Sequence, residues 1–170
     1  MYNDELLDLV NSNDEVIGTI KRSLTRNDPT KIFRVVSITI FNNRGETLIQ
    51  KRSVNKSHPG LWENAASGHV PAGESPSETA KREIFEELGI TGDPIYFDKW
   101  FISHATKSKF MWMYYLLVPA GMGLKINKYE VAEVKWIKPD DLIEFAKTEL
   151  WDVGGVSHKE IMAIKKYLGL

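Results

Sequence analysis

Apolar and polar positions along this chain change period several times, and each change marks an element. Leu6 to Val10 and Val16 to Ile20 are short apolar runs joined by the turn-rich Asn11-Ser12-Asn13-Asp14, which predicts an N-terminal hairpin. Arg26-Asn27-Asp28-Pro29 reads as a loop. Phe33 to Asn42 is dense in β-branched residues and predicts a strand. Asn43-Arg44-Gly45 turns the chain, and Glu46 to Arg52 returns as a second strand. A polar loop follows from Ser53 to Gly60. Strands are also predicted at Ile95 to His104 and Lys109 to Val118, joined by Ala105 to Ser108, and at Glu130 to Ile137. Pro139 to Leu150 and Ser157 to Leu168 read as helices, the second amphipathic through Ile161, Ile164 and Leu168. Hairpins replace regular strand–helix–strand alternation, so the pattern predicts an α+β fold built on a mixed sheet.

One helix is signalled in more detail. Ser75-Pro76-Ser77-Glu78 combines a capping box with proline at the first helical position, and Gly89 supplies the stop. Ala80, Ile84 and Leu88 form a buried stripe at four-residue spacing. Beside it, Glu83, Glu86 and Glu87 stand at i, i+3 and i+4, which places three carboxylates on one face. Like charges so placed repel, and the bland reading is a solvated helix face. The chemical reading is a cation site. Oxygen ligands in a chain without cysteine point to a hard ion, magnesium or alternatively manganese.

Composition narrows the classes. A chain of 170 residues with 42% hydrophobic and 26% charged residues can bury a full core. Net charge is −1, which gives no general drive toward nucleic acid or anionic membranes. The absence of cysteine excludes disulfides, zinc–thiolate sites and thiol nucleophiles. The first ten residues lack the basic-then-apolar pattern of a secretory signal, and no apolar run approaches a membrane span, so a cytoplasmic protein is expected.

Gly68, five residues, Glu74, seven residues, then Arg82-Glu83-Ile84-Phe85-Glu86-Glu87-Leu88-Gly89-Ile90 resembles the Nudix box at every defining position. The resemblance implies a Nudix-type α/β/α sandwich with a mixed sheet and a loop–helix–loop catalytic motif over residues 68–90. It implies a single domain over 1–170, with the hairpin and loop of 1–32 packed on the core. It further implies hydrolysis of a nucleoside-diphosphate-linked or related compound. Glu83, Glu86 and Glu87 would be catalytic and metal-binding, the Gly68 carbonyl a further metal ligand, and Glu74 with Arg82 a structural ion pair. The expected partner is a small diphosphate, with no nucleic acid or membrane, and a homodimer is left open.

Phe33-Arg34-Val35-Val36-Ser37, Ile49-Gln50-Lys51-Arg52-Ser53 and His58-Pro59-Gly60-Leu61-Trp62-Glu63-Asn64 resemble the branch that holds isopentenyl-diphosphate isomerases. Three positions depart from it. Ser67 stands where the isomerase carries its cysteine, and a serine hydroxyl is a much weaker acid than a thiol. Arg26 and Phe33 stand where it has metal-binding histidines, and Lys107 and Lys109 where it has an acidic pair. Only His69 is kept. Hydrolysis is therefore the favoured expectation, with isomerase-like activity and a non-catalytic nucleotide-binding domain as alternatives.

Several residues outside the box have two readings. Glu133 is expected to add a catalytic carboxylate, with Glu130 beside it as an alternative, unless both are ordinary strand-edge acids. Arg52, His69 and Trp62 are candidate substrate contacts; Arg26 and Arg34 are weaker ones, since single arginines are more often surface charges. Phe110, Trp112 and Tyr114 alternate along one strand face, for which core packing competes with stacking on a planar ligand. His104 reads as a surface residue at a hairpin end.

Overall fold

The computed structural model describes residues 4–151 and 156–170; the first three residues of the N-terminal segment discussed above lie outside them. In chain order the elements are β1 (Leu6–Val10), β2 (Val16–Lys21), β3 (Phe33–Asn42), β4 (Thr47–Arg52), β5 (Trp62–Asn64), β6 (Ala66–His69), α1 (Pro76–Leu88), β7 (Ile95–His104), β8 (Lys107–Val118), β9 (Val131–Ile137), α2 (Leu142–Thr148) and α3 (Val156–Leu168).

The central hairpin is a fork. β3 and β4 pair only beside their turn, at Ile40 with Leu48 and Phe41 with Thr47. Beyond that point they part, and β5–β6 fills the gap. β6 pairs antiparallel with β3 from Ile38 to Val35, while β5 pairs antiparallel with β4 from Ile49 to Lys51. The outer edge of β3 carries β8 in parallel and then β7 antiparallel; the outer edge of β4 carries β9. The result is a mixed sheet with two diverging arms.

Helices cover both faces of this sheet, giving an α+β sandwich. On one face, Val36, Ile38, Ile40 and Leu48 pack against Ile84 and Leu88 of α1. On the other, Phe41, Ile49, Trp62 and Tyr115 pack against Leu142, Ile161 and Ile164 from α2 and α3. The α1 layer buries Val36, Ile38 and Ile40 at alternate β3 positions, while the opposite layer buries mainly aromatic strand residues, Phe41, Trp62 and Tyr115. The N-terminal hairpin docks through Leu7, which is buried with Phe33 and Val35. No helix among the described residues is long and apolar enough to cross a membrane.

α1 forms where its caps predict. The Ser75 hydroxyl accepts from the Glu78 backbone N–H, and the Ser75 N–H donates in turn to the Glu78 carboxylate. Gly89 ends the helix at φ +69°, a left-handed position, and a side chain there would also collide with Lys125. Lys125 and Asn127 donate backbone N–H bonds to the carbonyls of Leu88 and Glu87, which satisfies the last turn.

Some expectations need correction. The loop expected at Ala105 to Ser108 is a two-residue turn, because β8 begins at Lys107 and pairs with His104. The helix expected from Pro139 to Leu150 opens as a 3-10 turn and runs as α2 only over Leu142–Thr148. β5 and β6 were not anticipated; at three and four residues they are too short for an alternation to show.

α3 also carries a carboxylate into the core. Glu160 is fully buried and accepts from the hydroxyls of Ser37 (2.8 Å) and Thr39 (3.2 Å). Asn64 donates to both hydroxyls in turn. Burial outweighs these bonds and pushes the Glu160 carboxyl up to about 8. The native state then holds a proton that the unfolded chain releases near pH ~4.5. This group's effect is to lower stability as pH climbs from there to about 8. Glu160→Gln is expected to remove that slope. Urea unfolding at pH 6 and pH 9 should show the wild type losing more stability than the variant, by on the order of a few kcal/mol.

Candidate active site

The carboxylate face of α1 lies against β6, at the mouth of the fork. Gly68 on β6 pairs with Val36 and has no room for a side chain: a Cβ there would fall 2.2 Å from the Glu83 carboxylate. Glycine thus lets a charged group press directly onto a strand backbone.

The three acids differ in exposure. The side chain of Glu87 is 3% exposed, that of Glu83 10% and that of Glu86 46%. Burial, helped by the charge of Glu83, pushes Glu87 up to about 8. Burial likewise pushes Glu83 up to about 7, opposed by Arg82 and reinforced by Glu86. Arg82 Nη1 bonds Glu83 (2.9 Å) and Glu86 (3.0 Å), while its Nε reaches Glu74 (3.2 Å). The side chain expected to pair with Glu74 therefore also bridges two of the box acids.

Other strands complete the surroundings. Gln50 on β4 donates to Glu87 Oε2 (2.9 Å), and the Ser67 N–H approaches the same oxygen at 3.4 Å. Gln50 Oε1 is buried with no hydrogen-bond partner among the described residues. Lys56 reaches Glu130 (2.5 Å) and lies 4.0 Å from Glu87. Burial alone would lower the Lys56 ammonium, but the bond to Glu130 and the field of Glu87 outweigh it and keep it raised. Ser67, Lys56 and Glu130 border a cavity of about 450 Å³ that also takes in Arg52, Glu63 and His69, with Gln50 and Glu87 behind its wall. Arg52 is held by Glu63 (2.6 Å) and by the Ser57 carbonyl (2.6 Å). His69 stacks on Phe33 at 5.4 Å. Burial first, and then the positive field of Arg22, Lys107 and Lys109, hold its imidazole well below the ordinary range, so it is neutral at neutral pH.

Glu83, Glu86, Gly68, Arg82, Arg52 and His69 thus share one cavity, with Glu87 buried behind it. Two candidates lie elsewhere. Glu133 faces Lys51 across β9–β4, and directly opposed residues share a sheet face. Lys51 points toward Glu149 and Trp62, so Glu133 lies on the α2 face, across the sheet from α1. A bulge between Lys51 and Arg52 shifts the register there, and Glu130 is the acid at the cavity. Trp62 is 2% exposed, packs edge-on against Phe145 and donates to Glu149, so it is a core residue. Arg34 is taken by Asp14 (2.6 Å). Phe110 and Tyr114 are buried, and His104 is exposed at the hairpin turn. Gln50 and Lys56 were not anticipated. A lone glutamine in a strand and a lysine in a polar loop carry no sequence signal of their own.

The donor set fits a hard divalent cation. Three carboxylates and, among the described residues, the unpartnered amide oxygen of Gln50 are all oxygen donors, and Gly68 leaves no side chain between strand and carboxylate. Among the described residues no three acids or histidines are drawn together as a preformed cage, and Arg82 lies between two of the acids.

Comparison with known proteins bears on the family and the fold. The NUDIX domain profile matches residues 31–156. An isopentenyl-diphosphate Delta-isomerase of Streptomyces coelicolor is 41% identical over 87 residues, which are 51% of this chain and 44% of the isomerase. The matched part is thus less than half the length of that relative. An uncharacterized Nudix hydrolase of Pseudomonas aeruginosa is 30% identical over 145 residues, 85% of each chain. The crystal structure of a Deinococcus radiodurans protein superimposes with a TM-score of 0.72 at 30% identity, covering 92% of this chain and 97% of that one. From the box, the fold around it and these matches, the chain belongs to the Nudix family.

Proposed function

We propose that this protein is a magnesium-dependent diphosphate hydrolase, with water attacking phosphorus. The carrying observation is the pressing of the Glu83 carboxylate onto Gly68, with Glu87 buried beside it and Glu86 at the rim. Two buried acids kept side by side, each pushed up toward neutrality, are an arrangement that a bound dication relieves. When bound by Glu83, Glu86, Glu87 and the Gly68 carbonyl, the cation would neutralise phosphate oxygens and lower the pKa of a water.

The chain's own groups do the rest. Gln50 fixes the rotamer of Glu87 and leaves its Oε1 as an acceptor. Glu130, held by Lys56 at 2.5 Å, borders the cavity from outside the box, which supports a role for it in taking a proton from the attacking water. Arg52 and Glu63 brace the opposite rim, and Arg82 balances charge next to the acids.

Isomerase-like activity is the second reading, favoured by the names of several relatives. Against it stand Ser67 at the cavity wall and the two lysines, Lys107 and Lys109, on its far side. A diphosphate panel with magnesium present and absent tests both. The expected result is metal-dependent release of a phosphate-containing product from at least one compound. Conversion of isopentenyl diphosphate to its allylic isomer would replace the hydrolase reading. Tight binding without turnover across the panel would establish a binding domain instead.

A further inference from the structure

The cavity has a second wall of opposite sign. Facing the α1 acids are Lys107 and Lys109 at the start of β8, and Arg22 just after β2. Beyond them the cleft continues into a second chamber of about 870 Å³, which shares Glu5, Arg22, Arg52, Lys56 and Ser57 with the first and adds Arg26. The acids of this region are already engaged. Glu5 pairs with Arg22 (3.3 Å), and both Asp4 oxygens accept from Ser23. The Lys107 ammonium lies over the Phe33 ring at 5.1 Å; neither it nor the Arg26 guanidinium has an ion pair or side-chain hydrogen bond among the described residues. Burial and the like charges of Lys109, Arg22 and Arg26 bring the Lys107 ammonium down to about 8.

The lining says equally what is not accommodated. Among the described residues neither chamber presents a Phe, Tyr or Trp ring. Phe, Tyr and Trp rings are the largest platforms for a nucleobase, leaving only the imidazoles of His58 and His69 and the arginine planes for that role, and a prenyl chain needs an apolar wall. The few apolar residues of the first chamber, such as Leu61 and Met111, are scattered among charges.

We infer that Arg22, Arg26, Lys107 and Lys109 form an anion subsite for a second phosphate group of the substrate, separate from the diphosphate held at the α1 acids. This rests on the hydrolase reading and names its substrate class: a compound with a diphosphate at one end and a further phosphate beyond it, as in a polyphosphate chain or a phosphorylated sugar diphosphate. Both sources present the same chemistry to the four cations.

Calorimetric titration of the full chain with inorganic tripolyphosphate in EDTA isolates this wall, because the acids cannot bind an anion without metal. The wild type is expected to bind, and Arg26→Gln/Lys107→Gln to bind about tenfold more weakly, since hydrogen bonds to charged groups are being removed. Lys147→Gln/Lys166→Gln, which lowers net charge equally on α2 and α3, should bind like the wild type. Equal affinity in all three proteins, or no binding by the wild type, overturns the subsite.

Turnover with magnesium separates the two sources and the two readings. A pentose with a diphosphate on C1 and a phosphate on C5 is compared with tripolyphosphate, and with the same pentose diphosphate lacking the C5 phosphate. Arg26→Gln/Lys107→Gln should raise KM about tenfold for whichever doubly anionic compound is used, and leave the compound lacking the second phosphate unchanged. Equal changes for all compounds would overturn the subsite and leave the hydrolase reading intact. Cluster-dependent binding of tripolyphosphate without hydrolysis of any diphosphate would keep the subsite and remove the hydrolase reading.

Discussion

Glu86→Gln and Glu87→Gln are each expected to lower turnover of a diphosphate by on the order of a thousandfold, the scale on which removal of one charge-stabilising group acts in a buried site. The amide keeps the shape and deletes the charge that would hold a cation. Glu87 is nearly inaccessible and already tied to Gln50, so its replacement fits without rearrangement. Glu86 is half exposed and bonded to Arg82, so its replacement frees the arginine without opening the core. Neither change should unfold the protein. In the absence of metal the Glu87 variant should be at least as stable as the wild type, since a buried acid pushed up to about 8 opposes folding at higher pH. Magnesium should raise the Tm of the wild type and leave both variants unmoved. Full turnover by both variants would remove these residues from the metal site.

Gly68→Ala is expected to act nearly as strongly from the opposite side. The added methyl would lie 2.2 Å from the Glu83 carboxylate, well inside contact distance. Strand β6 cannot retreat, because it is paired with β3 from Val35 to Ile38. The Glu83 side chain must therefore leave its place, and overpacking of this kind costs roughly 1–3 kcal/mol. Turnover should fall by about a hundredfold or more, because displacement of reacting groups by about 1 Å already has such an effect. The diagnostic readout is a titration with magnesium. The half-saturating concentration should rise, and excess metal should restore only part of the rate. An alanine variant with wild-type metal dependence would show that the close approach of Gly68 and Glu83 has no part in the chemistry.

The box was legible because its chemistry sits within 23 residues on one loop and one helix, where spacing alone fixes which side chains share a face. The caps of α1 were legible for the same reason, since Ser75, Glu78 and Gly89 act through local backbone geometry. What could not be read depends on strands meeting at a distance. Gln50 reaches Glu87 across 37 positions, and Glu160 reaches Ser37 across 123. The bulge at Lys51–Arg52 decides whether Glu130 or Glu133 faces the cavity, and a slip of that kind leaves no mark in the alternation of YEVAEVKWI. Trp62 shows the converse: beside a loop of glycine and proline it resembles a binding residue, yet the wedge strand turns it into the α2–α3 layer.

The fork of β3 and β4 makes the width of the cleft a lever problem. The two arms pivot at the short contact between Ile40–Phe41 and Thr47–Leu48, and the wedge holds them apart. Ala65 and Ala66, at the crossing from β5 to β6, are both fully buried, so the wedge meets the core there through methyl groups, beside the buried Asn64 that bonds Ser37 and Thr39. A larger side chain at that seat is expected to press β3 and β4 further apart and so to alter the cleft between the arms. Cleft aperture in this scaffold can therefore be retuned from the interior, with every residue that meets the substrate left as it is.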